Sequence, residues 1–115
     1  MTFPLTPERL AVLYDCLRAL PPFKGWRLPP SHLVEFRTPY RLDLFGEYVE
    51  SDPPRIMVSR ALNGTFDHVL EILAHEMVHM AQHQSGHSSR ANHNRDFARR
   101  AKAVCRVFGW DWRRF

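Results

Sequence analysis

Leu10, Leu13, Tyr14, Leu17 and Leu20 recur at helical spacing, and Pro21-Pro22 closes the run. Ahead of them Thr6-Pro7-Glu8 supplies a hydroxyl cap, a proline for the first turn and an acid that suits the helix dipole. A first helix with one buried face is expected there. From Pro21 to Pro54 the chain is punctuated by prolines, Gly25 and Gly46, with β-type runs between them: Leu33 to Phe36, Leu42 to Tyr48 and Arg55 to Ser59. These predict a small antiparallel sheet, with Asp52-Pro53-Pro54 turning into the third strand. A long helix follows from about Phe66 to about Gln84, capped by Thr65 or Asn63 and burying Leu70, Leu73, Ala74, Met77 and Ala81. Gly86, among Ser85, Ser88 and Ser89, ends it and opens a loop. The last helix is expected from near Asn92 to Gly109, with Phe97, Ala101, Val104, Cys105 and Phe108 on its apolar side. The pattern is α+β, with a small sheet packed against three helices.

Length sets the scale. A chain of 115 residues is long enough for one modest core, so residues 1–115 are read as a single domain. No apolar run approaches the ~20 residues needed to span a bilayer. Met1-Thr2-Phe3-Pro4-Leu5-Thr6 has no basic start leading into an apolar stretch, so a secretory signal is not expected and a cytoplasmic location is. Cys16 and Cys105 lie far apart and form no Cys-x-x-Cys pair, which excludes a zinc ribbon; each is read as a small buried apolar residue. The net charge of +4 is unevenly placed: from Arg90 onward eight Arg or Lys face two Asp, while the preceding residues are slightly acidic. Arg95, Arg99, Lys102 and Arg106 form a stripe along the last helix, an electrostatic footprint for an anionic partner such as DNA or for water alone. Trp110 and Trp112, beside Arg113 and Arg114, would either stack on unpaired bases or pack the C-terminal segment onto the core.

The chemistry is carried by His75-Glu76-Met77-Val78-His79, a His-Glu-x-x-His pattern inside a helix predicted without reference to it. Histidines at i and i+4 project from one face and can share an ion, and zinc takes imidazole donors at ~2.0–2.1 Å. Zn(2+) lowers the pKa of a bound water toward neutrality, Glu76 is placed to take its proton, and the metal then stabilises the oxyanion. His75 and His79 are therefore the expected metal ligands, and Glu76 the catalytic base of a hydrolase.

A catalytic zinc wants a third protein ligand and one open position. After Glu76 the sequence holds no further Glu, so the candidates are His83, His87, His93 and Asp96. His83 lies eight residues from His75, ~12 Å along a regular helix, too far to meet it at one ion; it is expected to line the cleft or stand exposed. His87 falls on the loop. His93 opens the last helix after a reversal, and Phe97 one turn later would anchor it, so His93 is the chosen ligand. Asp96 is the fallback, or else orients His93 or caps the helix. His32 and His68 read as surface or polar contacts.

At these residues the chain resembles the SprT-like family of zinc metallopeptidases, which includes the Spartan-type DNA-dependent proteases. The resemblance covers roughly residues 55 to 109: the strand Ile56 to Ser59, the segment Val69 to His79, and His93-Asn94-Arg95-Asp96-Phe97. In that family a later His, usually followed by Gly and with Phe four residues on, is the third ligand; here Asn94 replaces the Gly. The resemblance implies a zincin-like fold with the metal between the last two helices, and proteolysis of proteins bound or crosslinked to DNA. The Cys-rich zinc ribbon that many members add has no counterpart here. If polypeptide is the substrate, the strand Arg55 to Ser59 is expected to be the sheet edge that pairs with it, with Pro53 and Pro54 limiting unwanted pairing. Two other readings compete. One is a repressor-cleaving metallopeptidase with a His-Glu-x-x-His-x-x-x-His pattern ending at His83. The other is a nucleic-acid-binding or partner-binding module whose zinc is structural.

Overall fold

The computed structural model describes residues 4–86 and 93–115. The readings placed on Met1 to Phe3, on His87 and its neighbouring serines, and on Asn92 lie outside those residues. Helix α1 spans Pro7–Arg18, and the Thr6 hydroxyl accepts from the Arg9 N–H at its start, as its cap residue predicts. Its inner face buries Leu10, Tyr14 and Leu17, whereas Leu20 lies beyond the helix and is exposed. Cys16 is exposed too, contrary to expectation: it falls between the buried positions 14 and 17, on the solvent side of the helix. Cys105 is buried as expected.

Strands β1 (Glu35–Arg37), β2 (Gly46–Val49) and β3 (Arg55–Val58) form a three-stranded sheet in the order β1-β3-β2. The sheet is mixed rather than antiparallel: β2 and β3 form an antiparallel hairpin, while β1 runs parallel to β3. The reason lies in composition. Ile56, Met57 and Val58 are all buried, so β3 takes the centre, where strands are covered on every side. The more polar β1 and β2 flank it, and the chain between them carries β2 past the middle position. The strand expected to be a free edge is therefore the central one. Of the two edge strands, β1 lies against α1 and β2 against the long helix that follows.

Helix α2 (Phe66–Gln84) lies across this sheet, with Thr65 accepting from the His68 N–H at its cap. Asn63, the other cap candidate, is instead buried and donates to the carbonyls of Phe45 and Ser59. Val69, Leu73, Ala74, Met77, Val78, Met80 and Ala81 are all buried, more than one stripe, because α2 packs on the sheet, on α1 and on the last helix. Burying a side chain of the size of Leu or Met contributes about 1.5–3 kcal/mol, so this helix anchors the core.

Helix α3 spans Arg95–Phe108, starting later than expected because Asn94 is its cap. It ends at Gly109, whose φ of 81° is the left-handed conformation that glycine adopts at little cost. Its inner face buries Phe97, Ala101, Val104 and Cys105. Among the described residues the architecture is α+β, three helices around a three-stranded sheet, and no helix is long and apolar enough to cross a membrane.

One contact between β2 and α2 is unusually close. A Cβ at Gly46 would lie 2.7 Å from Cγ2 of Ile72, and 3.0 Å from both Glu76 Oε2 and the Met57 carbonyl oxygen. Glycine at this point lets the edge strand rest directly on the helix turn that carries Glu76.

Candidate metal centre

His75 and His79 stand one turn apart on α2, and His93 reaches them from the residue before the α3 cap. The ring centroids form a nearly equilateral triangle, 4.9 Å for His75–His79, 5.1 Å for His75–His93 and 5.2 Å for His79–His93. One nitrogen from each lies within 4.8 Å of the others. Tetrahedral donors at ~2.0–2.1 Å from an ion stand ~3.3 Å apart. The Nε2 atoms of His75 and His79 are 3.2 Å apart, so that pair already has the spacing, and His93 needs only a small approach.

Each ring is held from behind. The His93 ring stacks on Phe97 at 4.2 Å and 5°, so the anchoring role read for Phe97 is the one it plays. Nδ1 of His79 lies 3.2 Å from Oε1 of Gln82, and Gln82 Nε2 donates to Asn94 Oδ1 at 2.9 Å. The same Asn94 oxygen accepts from the Phe97 N–H at 3.0 Å. A single amide thus caps α3 and, through Gln82, steadies His79. The Phe115 ring lies 5.3 Å from that of His75, and its backbone carbonyl favours the protonated form of the imidazole. Outer-shell partners of this kind fix the tautomer and orientation of ligating histidines. Gln82 and Phe115 were not picked out from the sequence. Gln82 had a local signal, three residues after His79 on a helix; Phe115 had none.

The electrostatics suit a cation. Burial, then the neighbouring His79 and His93, push the His75 pKa down to about 3, with the Phe115 carbonyl opposing. Burial and His93 lower that of His79 as well. These imidazoles are neutral at pH 7, the form that ligates metals. Glu76 is only 6% exposed; burial and then Glu47 raise its pKa to about 8, while the Tyr48 backbone N–H pulls it down. A dication beside it would reverse that balance in favour of the carboxylate. Three imidazole nitrogens with a carboxyl group beside them fit a zinc ion.

The remaining candidates go elsewhere. His83 takes no part in the triangle: its Nδ1 meets the Tyr48 hydroxyl at 3.0 Å and its Nε2 lies 3.5 Å from Glu50, on the rim of the cleft. Asp96 is neither ligand nor cap, because its oxygens hold Arg99 at 2.7 Å and Arg100 at 2.9 Å. Arg100 is buried, bonds Ser85 Oγ and lies over the Trp26 ring, tying the start of α3 to the end of α2. His32 is exposed, and His68 meets Phe45 edge-on at 5.2 Å. Arg95, Arg99, Lys102 and Arg106 do share an exposed face of α3, around a shallow groove. Trp110 packs on Phe108 and Phe115, whereas Trp112 lies under Lys102 and Arg113 at the surface.

Replacing Asn94 with alanine is expected to lower stability by about 1 kcal/mol, the usual worth of a side-chain cap. Asn94→Gly, which keeps most cap function but loses the bond to Gln82, should recover most of that in a thermal melt. Both variants should bind metal more weakly. Equal melting temperatures for wild type and Asn94→Ala would remove the capping role.

Searches against protein-family models, curated proteins and solved structures find no match for the chain. The case for function therefore rests on the residues and their geometry.

Proposed function

We propose that this chain is a zinc-dependent peptidase of the SprT-like, zincin-like kind, in which His75, His79 and His93 hold the metal and Glu76 moves the proton. The observation that carries the reading is the meeting of three imidazoles, two from α2 and one from just before α3, beside a buried carboxyl group at the floor of an open cleft. When bound there, zinc supplies Lewis acidity, making a water easier to deprotonate and a carbonyl easier to attack. Glu76 receives the proton of the attacking water on a carboxylate oxygen and delivers it to the departing amine. The Tyr48 backbone N–H favours the charged form of that carboxyl group. His75, His79 and His93 would hold a zinc ion with three protein donors, whereas structural zinc sites are normally closed by a fourth.

The edge strand β2 is the template for an extended substrate. Tyr48 turns its N–H away from β3 toward Glu76, so Gly46 and Tyr48 present their backbone groups to the cleft. DNA-bound or DNA-crosslinked proteins are the proposed substrates, on the strength of the exposed basic face of α3 and the surface Trp112 between two cations.

The test is hydrolysis of an unstructured protein by the zinc-loaded chain, with and without single-stranded DNA. New amino termini should accumulate, stop on chelation and return with zinc. A chain that holds zinc but releases no fragments in either condition belongs with the structural-zinc binding modules.

A further inference from the structure

Asn63 stands between the end of β3 and the start of α2, 1% exposed, and only one end of its amide is used. Nδ2 donates to the Phe45 carbonyl at 3.1 Å and to the Ser59 carbonyl at 2.9 Å, so the nitrogen must face those two oxygens. Oδ1 is buried and accepts from none of the described residues. An unmet buried acceptor is costly, so packing alone favours an apolar side chain at this point. Nor does Phe45 need the bond. Its carbonyl already accepts the Ser59 N–H at 2.8 Å, one step beyond the Gly46–Val58 pair of the hairpin. A second donor on a satisfied carbonyl contributes direction, because it holds the plane of the Phe45–Gly46 peptide from two sides.

That plane matters at the next residue. Gly46 lies so close to Glu76 that a Cβ there would come within 3.0 Å of Oε2. The cleft runs past this contact from Glu47 and Glu50 at one end to Phe45, Glu71 and Arg114 at the other, and Asn63 lines neither end. Resting on the peptidase reading, we propose that Asn63 is a positioning residue for the reaction: through the Phe45 carbonyl it sets Gly46, and Gly46 backs the carboxyl group of Glu76. A glycine has no side chain to absorb a tilt of its peptide, so the tilt passes to Glu76. Misplacing a reacting group by about 1 Å costs about 10²-fold in rate. Asn63 bonds none of the backbone groups of Gly46 or Tyr48 that face the cleft, so its loss acts on kcat rather than on KM.

Two measurements test this. Asn63→Ala removes both donors together with the unmet acceptor. In the zinc-loaded chain its kcat on an unstructured protein should fall about tenfold or more, with KM within about twofold of wild type. Asn63→Ser keeps one donor and should fall between the two; it takes the place of the alanine variant if that one does not fold. Leu10→Val, buried on α1 and lining neither end of the cleft, is the stability control. A merely structural Asn63 loses activity only in step with Tm, as this control does. The second measurement needs no catalysis. The chain has five glycines, few enough for a glycine label to resolve Gly46. The Gly46 amide nitrogen shares a peptide with the carbonyl that Asn63 holds. Its resonance should move in Asn63→Ala, and the cross-peak between its α protons and the Glu76 side chain should weaken, with neither change in Leu10→Val. A wild-type kcat, a loss matched by Leu10→Val at equal Tm, or an unmoved Gly46 overturns the proposal. If the wild-type chain cleaves nothing while Gly46 moves and the cross-peak weakens, the peptidase reading falls, and Asn63 remains the residue that sets Gly46 against Glu76.

Discussion

Glu76→Gln is expected to hold zinc as tightly as the wild type while losing about 10²–10⁴-fold in hydrolysis, the usual worth of a positioned acid–base group. The amide is nearly the same size as the carboxyl it replaces, so the packing against Gly46 and Ile72 survives. It has no basic site for the proton of the attacking water. Burial makes this separation clean: at 6% exposure, little bulk water is at hand to replace the missing base. The measurements are metal content by elemental analysis and fragment release under saturating substrate. Wild-type rates in the variant would remove Glu76 from the reaction.

His93→Ala is expected to lower zinc affinity by more than the ~10–100-fold that loss of an outer-shell partner costs. Two nitrogens on one helix cannot hold zinc as three do, and His83 cannot step in because it is turned to Tyr48 and Glu50. The side chain at 93 is exposed and stacks on Phe97 at the surface, so the fold should survive its truncation. Competition with a chelator of known affinity measures the loss. His83→Ala and Asp96→Asn are the controls and should stay close to wild type in affinity. An unchanged affinity for His93→Ala would move the third ligand elsewhere.

The three helices were legible in the sequence because their signals are local. Apolar spacing, Thr6 and Thr65 at the caps and Gly109 at the stop depend on residues within a turn or two of each other. The His75–Glu76–His79 placement was legible for the same reason. His93 needed one further step, the reversal of the chain, and Phe97 supplied it. The start of α3 was misread because Asn92 and Asn94 are equally good cap residues; the tie is broken by Gln82, which lies on another helix and bonds Asn94.

The sheet was the part that local pattern could not order. β1 pairs with β3 across some 20 residues of chain, and only the buried run Ile56–Val58 hinted at a central place. Gly46 read as punctuation between strands, whereas its role is to admit the atoms of Ile72 and Glu76 where a side chain would stand. Asp96 was given a part in the site on proximity in sequence. Arg100, with no such claim, turned out to be its buried partner.

The tie between Phe115 and His75 bears on how the protein is handled. Anything fused behind residue 115 emerges at the mouth of the metal cleft, and an oligohistidine handle there would crowd the site with competing nitrogen donors. The amino end is the safer attachment point, since Leu5 rests beside Arg60 and Asn63, residues that line neither end of that cleft.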